Sequence, residues 1–464
     1  MSQRKTTRRS FLKTSSAASA GLFVPYFSSA APSLAFATNS PNDKVNIGLI
    51  GAGGMGRGNI DSAKEWLNLV AIADPDSNRA AEANKQFSEG KADTYEDYRK
   101  ILDRDDIDVL HIATPDHWHT KPLIEAMYAG KDVYCEKPLT LTIDEGKLIR
   151  KVQKETGRIV QVGTQQRSQF NLFTKAVAIC QEGRLGKIKK ITCGIGGAPE
   201  SSEIPVADAP PNLNWDRWLG PAPKVDYRAV GKGRRGNPKH SNCHYEFRWW
   251  YEYSGGKLTD WGAHHVDIAM WALRANGQSN KMLWIDGTSE HPVEYKDGVP
   301  QQTDRYNTAT RFEFATKVDD GTEVHIKSHG RNGLLIEGEK GRIFVSRGKL
   351  EGKPVDDLKE NPLPEGAIQK VYKGLPVVSN GRKAHWANFL HCVDNKVEPI
   401  SDVHSHMQML NVCHLAGIAA RLGRKVEWDA ETETIKGDEV ANSMLARPYR
   451  EGYEILMPEA VGAG

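Results

Sequence analysis

The sequence has few cysteines and no strong excess of charge of either sign. Its six cysteines, among 464 residues, are scattered without a C-x-x-C pair, a spacing that would have indicated a redox motif or a zinc ribbon. A chain of this size needs no disulfide framework, so we expect buried free thiols. The formal net charge is only +3, with both signs mixed along the chain. No basic stripe therefore indicates a nucleic-acid partner.

The sequence also lacks a hydrophobic run long enough to span a membrane. The apolar stretch near the N-terminus is short and rich in serine and alanine, whereas a spanning helix needs about 20 apolar residues. Arg8 and Arg9 precede it, a pattern typical of a twin-arginine export signal. Because Ala35 and Ala37 fit an A-x-A cleavage site, residues 1–37 are predicted as a signal peptide that the twin-arginine machinery exports to the periplasm. An uncleaved segment that acts as an anchor is the alternative.

The pattern along the chain predicts two folded domains, since a single hydrophobic core stops growing at roughly 250–300 residues. Residues 44–165 alternate β-branched runs with helical patterns, which indicates a doubly wound parallel sheet, the Rossmann arrangement. Residues 166–430 group their strands together, which indicates an α+β domain with a large, mostly antiparallel open sheet. Residues 431–464 are predicted as a C-terminal tail. The predicted fold class is α/β.

The first chemical motif follows the first predicted strand and reads GLIGAGGMGRG. Gly51, Gly53 and Gly56 have the G-x-G-x-x-G spacing, in which the glycines allow a tight turn, close approach of a pyrophosphate and close packing of a helix. We predict that these three residues, with Gly54 and Met55, bind a dinucleotide whose phosphates rest on the helix N-terminus.

The choice between NAD and NADP depends on the end of the second predicted strand. Asp74 ends that strand about 20 positions beyond the glycines, where an acidic residue holds a ribose 2′-hydroxyl group. Its charge would repel a 2′-phosphate, which favours NAD. Arg79 lies nearby and leaves NADP open.

Two further motifs carry ionisable groups. The stretch CEKPLT places Lys137 just after a later strand of the same domain, at the sheet edge where ligands bind. The stretch GGKLTDWGAHHVD places Asp260 and His264 four residues apart, with Asp267 three residues further on. On a helix that begins near Trp261, an imidazole would stand beside carboxylates that orient it and raise its pKa.

Together, these motifs and their order resemble the glucose–fructose oxidoreductase, inositol dehydrogenase and MocA family, abbreviated Gfo/Idh/MocA. The resemblance covers essentially the whole mature chain and implies a second domain whose open sheet backs onto another subunit, in a dimer or a tetramer. It implies Lys137, Asp260 and His264 as the catalytic set. It also implies Glu136 beside the cofactor and Asp267 as a further polar contact to the substrate.

One segment departs from this family pattern. In ATPDHWH, residues 113–119, Asp116 and His117 stand where many relatives carry asparagine and an unrelated residue. Only a role at the cofactor edge is therefore carried onto Thr114, Pro115 and His119.

The identity of the substrate is open because of an aromatic run and a proline-rich insertion, residues 198 to about 242, which contains LNWDRWLGPAP. The run FRWWYEY, residues 247–253, includes Arg248. Aromatic faces beside an arginine suit the C–H faces and hydroxyls of a sugar, so Arg248 is predicted to bind substrate. Buried core aromatics explain the same residues equally well.

These observations predict an exported NAD(P)-dependent oxidoreductase that transfers hydride from a sugar, polyol or glycoside hydroxyl and keeps its cofactor tightly bound. The periplasm holds little free nicotinamide cofactor, so the protein would fold around its cofactor before export. The alternatives are a glycoside-cleaving enzyme that oxidises its substrate transiently and a non-catalytic protein that retains nucleotide. Close histidine pairs at 240 and 244, 264 and 265, and 404 and 406 make a zinc site conceivable, but the predicted chemistry needs no metal.

Overall fold

A computed structural model describes residues 44–233 and 237–455 of the protein. The predicted signal peptide, including Arg8 and Arg9, lies outside the described residues. No helix among the described residues is long and apolar enough to cross a membrane. All six cysteines are buried and free of disulfide bonds, which confirms the expectation of buried thiols.

The first part of the chain forms a six-stranded parallel sheet with the strand order β3-β2-β1-β4-β5-β6. Its strands are β1 Val45–Ile50, β2 Leu67–Ala73, β3 Asp93–Tyr95, β4 Val109–Ile112, β5 Asp132–Cys135 and β6 Val160–Val162. All residues of β4 and β5 are buried, because helices cover both faces of such a sheet. The order reverses between β1 and β4, and ligands bind at this switch point.

Helices connect these strands, as the alternating pattern predicted. They are α1 Gly54–Ala63, α2 Ser77–Ser88, α3 Arg99–Leu102, α4 Thr120–Tyr128, α5 Ile143–Thr156 and α6 Lys175–Gln181. A capping box starts α5, since the Thr142 hydroxyl accepts a hydrogen bond from the Glu145 N–H and the Glu145 carboxylate accepts one from the Thr142 N–H.

The second part of the chain forms a nine-stranded sheet with the order β17-β16-β15-β7-β14-β13-β10-β18-β19. Only the pair of β7 and β14 is parallel, which confirms the mostly antiparallel sheet. Two small two-stranded sheets, β8–β9 and β11–β12, lie outside it. The strands of this part are β7 Ile188–Gly194, β8 Ala229–Lys232, β9 Pro238–Ser241, β10 Met282–Glu290, β11 Tyr295–Lys296, β12 Val299–Pro300, β13 Arg311–Val318, β14 Glu323–Lys327, β15 Gly333–Gly338, β16 Gly341–Val345, β17 Leu350–Glu351, β18 Val426–Asp429 and β19 Thr434–Ile435.

The helices of the second part are α7 Trp215–Leu219, α8 Lys257–Asp260, α9 Gly262–Ala275, α10 Lys353–Asp356, α11 Ala367–Val371, α12 Gly381–Asn395, α13 Val403–Leu422 and α14 Glu439–Ser443. Twelve of the fourteen residues of α9 are buried, as expected of a helix that packs on both sides. It contacts α13, α6 and the sheet strand β7. The catalytic motif predicted near its start is therefore held in the core.

The proline-rich insertion and the aromatic run that follows it form a second, separate aromatic core. Phe247, Trp249, Trp250 and Tyr253 of the run FRWWYEY are each no more than 6% exposed, and they pack with the aromatic residues Trp218, Tyr227 and Tyr306. These rings stabilise the insertion. The sequence left two interpretations of the aromatic run open, sugar stacking and buried core aromatics. The packing supports buried core aromatics.

Candidate active site

A large cleft of about 1430 Å³ runs along the switch-point edge of the parallel sheet. Its wall includes residues from the glycine turn, the ends of β2, β4 and β5, the insertion and the C-terminal region. Of the residues predicted to bind cofactor or substrate, it is lined by Gly51, Gly53, Gly54, Met55, Asp74, Thr114, Pro115, Glu136, Lys137 and Arg248. The structure therefore brings together most of the predicted site.

The glycine turn is built so tightly that two of its positions exclude a side chain. Gly51 has φ +90°, and a Cβ there would lie 2.7 Å from the backbone of Ala113. A Cβ on Gly56 would lie 2.2 Å from the Gly51 carbonyl oxygen. At Gly54, by contrast, a Cβ would meet nothing within 4 Å. The first helical residues thus face open space, as a turn that receives a pyrophosphate requires.

Asp74 stabilises the glycine turn as well as lining the cleft. Its Oδ2 accepts a hydrogen bond from the Ala52 N–H at 2.7 Å, and its Oδ1 accepts one from the Asp76 N–H at 2.9 Å. Burial raises the pKa of Asp74, against the effects of the Arg79 charge and these backbone bonds. Each carboxylate oxygen can accept a second hydrogen bond, so a ribose hydroxyl still fits there.

The segment after β4 divides into residues that face the cleft and one that does not. Thr114 and Pro115 line the cleft, and the Thr114 Oγ1 atom is buried without a hydrogen-bond partner among the described residues. His119 contacts the Pro138 carbonyl oxygen through Nδ1 at 2.6 Å and the Thr114 carbonyl oxygen through Nε2 at 3.0 Å. Because both ring nitrogens are used in this way, His119 joins two loops, and its predicted contact with the cofactor is corrected.

Glu136 is held rigidly beside the cleft. Its Oε1 accepts hydrogen bonds from Asn59 Nδ2 and Gln165 Nε2, both at 2.8 Å, and its side chain is almost entirely buried. A polar site that fits a nicotinamide dinucleotide is thus formed by three features. They are the Thr114 hydroxyl group without a partner, the tight glycine turn and the fixed Glu136 carboxylate.

Lys137 and Asp260 form a close ion pair between the two domains. The Lys137 Nζ atom donates to Asp260 Oδ1 at 2.6 Å and to the Asp260 carbonyl oxygen at 3.0 Å. Burial acts to raise the pKa of Asp260, but the charges of Lys137 and Arg248 outweigh it and hold that pKa well below its ordinary value. Asp260 therefore stays ionised and fixes the ammonium group at the cleft wall.

His264 lies at the start of α9 and is 6% exposed. Its Nδ1 atom is buried and has no hydrogen-bond partner among the described residues. Burial, followed by the charges of Lys137 and Arg347, holds the pKa of His264 well below 6.5, so the imidazole is neutral. The sequence predicted that Asp260 orients this ring and that carboxylates raise its pKa. That prediction is wrong, because Asp260 is bonded to Lys137 and burial dominates.

Asp267 lies in the core and not at the site. It is fully buried, and its two oxygens accept hydrogen bonds from Arg167 Nε at 2.7 Å and Nη2 at 2.5 Å. This two-pronged ion pair joins α9 to the segment after β6. The predicted substrate contact of Asp267 is therefore corrected to a structural role.

Arg248 of the aromatic run lines the cleft. Its guanidinium group lies 4.6 Å from the ring centre of Tyr245 and 4.7 Å from that of Phe247, and its Nε is 3.7 Å from Asp260 Oδ1. Stacking and the nearby carboxylate fix the cation in a position that can contact a ligand.

Two segments distant in sequence cover the cleft, and neither was predicted to do so. The covering segment, residues 210–218, is bonded to the loop after β2: Asn212 Nδ2 donates to Asp76 Oδ1 at 2.7 Å, and the Asn214 N–H donates to the Pro75 carbonyl oxygen at 2.9 Å. The His244 Nε2 atom lies 3.3 Å from Asp76 Oδ2. No local pattern signals these contacts, because their partners are more than 130 residues apart.

The terminal segment, residues 449–454, also contributes to the cleft wall through Gly452 and Tyr453. Lys121 Nζ donates to the Glu454 carbonyl oxygen at 2.6 Å, and the rings of Tyr453 and Trp118 are 5.6 Å apart. Arg450 binds the Asp216 carboxylate at 2.6 Å. The described part of the predicted C-terminal tail thus carries β19, α14 and a wall of the cleft.

Asp116 is an ionisable residue of the cleft to which the sequence motifs assign no role. It lines the cleft with Lys137 and Arg248, and its Oδ2 accepts a hydrogen bond from Ser254 Oγ at 2.6 Å. Ser254 is 138 residues away, so only the departure from the family pattern singled out this position.

Among the described residues, no group of three or more histidine, cysteine, aspartate or glutamate side chains could hold a metal ion.

Two family models match the chain. One describes an oxidoreductase family with an NAD-binding Rossmann fold and matches residues 45–164. The other describes the C-terminal alpha/beta domain of that oxidoreductase family and matches residues 199–455. The chain belongs to the Gfo/Idh/MocA oxidoreductase family. Membership confirms the resemblance, the fold class and the NAD-binding nature of the N-terminal domain.

Curated relatives of this Gfo/Idh/MocA protein match part of its length. Levoglucosan dehydrogenase of Pseudarthrobacter phenanthrenivorans is 34% identical over 160 residues, 31% of this chain and 39% of the relative. A glycosyl hydrolase family 109 protein of Solibacter usitatus is 33% identical over 153 residues, 30% of this chain and 35% of the relative. The chain thus spans just over a third of the length of these relatives.

Solved structures match this Gfo/Idh/MocA protein over most of its length. The WlbA dehydrogenase of Bordetella pertussis in complex with NADH and UDP-GlcNAcA has a TM-score of 0.58 and 18% identity, covering 83% of this chain and 99% of that one. Levoglucosan dehydrogenase in complex with NADH and levoglucosan has a TM-score of 0.56 and 20% identity, with the same coverage. At these identities the likeness establishes the fold alone.

Proposed function

We propose that the protein oxidises a hydroxyl group of a sugar, polyol or glycoside and transfers the hydride to NAD. The observation that carries this proposal is the Lys137–Asp260 ion pair at 2.6 Å, held on a cleft whose glycine turn and Thr114 hydroxyl fit the cofactor. Bound nicotinamide supplies the hydride acceptor. The names of the relatives support a sugar substrate, since levoglucosan dehydrogenase is among them.

In this proposal the protein supplies hydrogen bonds, charge and a proton acceptor. Lys137 donates a hydrogen bond to the oxygen of the hydroxyl group whose carbon is oxidised, and it stabilises the negative charge that develops on that oxygen. Asp260 fixes the ammonium group. His264, which is neutral, is the first acceptor of the hydroxyl proton.

The experiment is single-turnover reduction of bound NAD by a panel of sugars and polyols, without oxygen, followed by absorbance of reduced nicotinamide. With the best sugar, His264→Asn is expected to slow the reduction by about 10²–10⁴, the usual contribution of a positioned acid–base group. Lys137→Ala should slow it as well, and the two losses should be non-additive because both groups act on one oxygen. A near-wild-type rate in the His264 variant would exclude His264 as the proton acceptor. If no member of the panel reduces the bound NAD, a non-catalytic protein that retains nucleotide would be favoured.

We further propose that NAD is tightly bound and enters the periplasm inside the folded protein. The covering and terminal segments support retention, because both lie over the cleft wall. Replacing Arg8 and Arg9 with lysine is expected to leave folded, nucleotide-loaded precursor in the cytoplasm. Normal export of this variant would mean that another export route recognises the segment. The proposal that the cofactor is loaded before export would then lose its support. NADP remains the alternative cofactor because Arg79 lies on the cleft wall near Asp74.

A second candidate function is cleavage of a glycosidic bond through transient oxidation, elimination and addition of water. The similarity to glycosyl hydrolase family 109 proteins favours it. Net oxidation leaves one equivalent of reduced nicotinamide, whereas cleavage returns NAD and releases a free alcohol, so product analysis separates the two.

We also propose a dimer or tetramer formed through the open face of the nine-stranded sheet, which light scattering would test.

A further inference from the structure

Asp116 is placed to meet a bound substrate. It begins the short 3₁₀ turn Asp116–Trp118, directly after Thr114 and Pro115, and it lines the same cleft as Lys137. Its side chain is only 6% exposed. A carboxyl group so deeply buried in a cleft wall is unusual unless it is paired or functional.

The contacts of Asp116 leave one oxygen for a ligand. Oδ2 accepts the hydrogen bond from Ser254 Oγ at 2.6 Å. Among the residues that the structure describes, none donates a hydrogen bond to Oδ1. The charged groups that act on this carboxyl are Arg248 and Lys137, which favour its ionised form, and Asp260, which opposes it. The group thus has a partner on one side and the cleft on the other.

Among Asp116, Asp260 and His264, Asp116 is the group that can hold a proton at neutral pH. Burial raises the pKa of Asp116 to about 7, against the effects of the Ser254 hydrogen bond and the charges of Arg248 and Lys137. Asp260 is held ionised by the Lys137 ammonium group and Arg248. His264 accepts a proton only briefly, because its pKa lies well below 6.5. A group with a pKa near the working pH is the efficient acid–base catalyst.

We propose that Asp116 is a catalytic acid–base residue that retains the proton released by the substrate hydroxyl and returns it when the carbonyl product is reduced again. In the oxidative direction the O–H bond breaks and its proton ends on the Asp116 carboxylate, while the C–H hydride goes to NAD. In the reverse direction the carboxylic acid gives the proton back to the oxygen. This inference rests on the proposed oxidoreductase function.

The test combines a pH profile with three variants of the NAD-loaded protein. In the wild type the single-turnover rate of sugar oxidation should rise with pH through a midpoint near the Asp116 pKa, because Asp116 can take up the proton as a carboxylate but not as a carboxylic acid. Asp116→Asn should lower the rate by about 10²–10⁴, remove this midpoint and change KM little. Ser254→Ala should move the midpoint to higher pH, since it removes a hydrogen bond to the ionised form. Asp357→Asn is the control, because the exposed Asp357 carboxylate pairs with Lys353 and lies outside the residues that line the cleft.

A second readout needs no turnover. Infrared difference spectra of the protein between acidic and alkaline pH should contain a carboxyl band that titrates near neutral pH, is absent in Asp116→Asn and moves to higher pH in Ser254→Ala. Loss of the band and of the kinetic midpoint in Asp116→Asn would support the inference. A titration that is unchanged in Asp116→Asn, or a variant that keeps the wild-type midpoint, would overturn it.

The outcomes separate this inference from the function on which it rests. Failure of the wild type to reduce NAD with any sugar would refute the proposed function. Normal reduction by the wild type together with an unaltered pH profile in Asp116→Asn would refute only the role of Asp116.

Discussion

Single buried charges in this protein serve either the cleft or the core, and their partners decide which. Asp267 and Asp260 lie on consecutive helices, yet Asp267 is closed off by Arg167 whereas Asp260 holds Lys137 at the cleft wall. Helical spacing could predict that both carboxylates come from one region. It could not predict their partners, since Arg167 is 100 residues from Asp267 and Lys137 is 123 residues from Asp260.

Asp267→Asn should lower the stability of the protein without specifically weakening substrate binding. The change leaves the Arg167 guanidinium group buried without its counter-charge, and breaking a buried pair costs about 3–5 kcal/mol. Chemical denaturation of wild type and variant measures the difference. The double variant Arg167→Met/Asp267→Leu is the control, because removing both charges should recover much of the loss. A variant with wild-type stability and a raised KM would show that Asp267 contacts the substrate after all.

Asp116→Asn should raise stability at pH 8 but not at pH 4. The pKa of Asp116 is raised from 3.8 to about 7, so the folded protein binds more protons than the unfolded chain between these values and the wild type loses stability as pH rises through this window. At about 1.4 kcal/mol per unit the full loss is about 4 kcal/mol, and asparagine avoids it. Melting temperatures of both proteins across this pH range check the sign. A difference that does not grow with pH would mean that the carboxyl is already ionised at low pH.

At the scale of elements, the hydrophobic periodicity of the sequence predicted helices and strands, but it did not predict which strands pair. The helix expected to begin near Trp261 is α9, and the alternating runs predicted for residues 44–165 are the strands and helices of the parallel sheet. Their apolar spacing is local information. The order of the nine-stranded sheet, in which β7 lies between β14 and β15, depends on contacts that join strands more than 130 residues apart. The contribution of the covering segment to the cleft is non-local in the same way.

The glycine turn allows a sharp comparison between two substitutions. Gly56→Val should prevent folding of the first domain, because even a Cβ would lie 2.2 Å from the backbone oxygen of Gly51. Gly53→Val should fold, since a Cβ there meets only the movable Arg79 side chain at 2.9 Å, but it should lose nucleotide through clash with the pyrophosphate. Circular dichroism reports folding, and the nucleotide content of the purified protein reports binding. Recovery of Gly53→Val with a full complement of nucleotide would contradict the fit of the cofactor to this turn.

For the molecule as a whole, the two segments over the cleft predict slow release of NAD. Asn212→Ala and His244→Ala each remove a contact with Asp76 that holds the insertion to the first domain. A typical hydrogen bond contributes about 0.5–1.5 kcal/mol, so each change should speed nucleotide dissociation by about 2- to 10-fold. Fluorescence of bound NADH after dilution measures the rate. Asn395→Ala, which alters an exposed amide that bonds its own helix, should leave the rate unchanged, and equal rates in all four proteins would mean that the insertion does not retain the cofactor.

The terminal segment has a consequence for the order of events during synthesis. About 400 residues separate Gly51 in the glycine turn from Tyr453 on the cleft wall. At roughly 5–20 residues per second, a ribosome needs about 20 to 80 s to cover that distance. The first domain is complete at about residue 164, so it can fold during the later part of this interval, while the cleft still lacks one of its walls. A nucleotide captured early can therefore leave again, and only a nucleotide present when Tyr453 docks on Trp118 is enclosed.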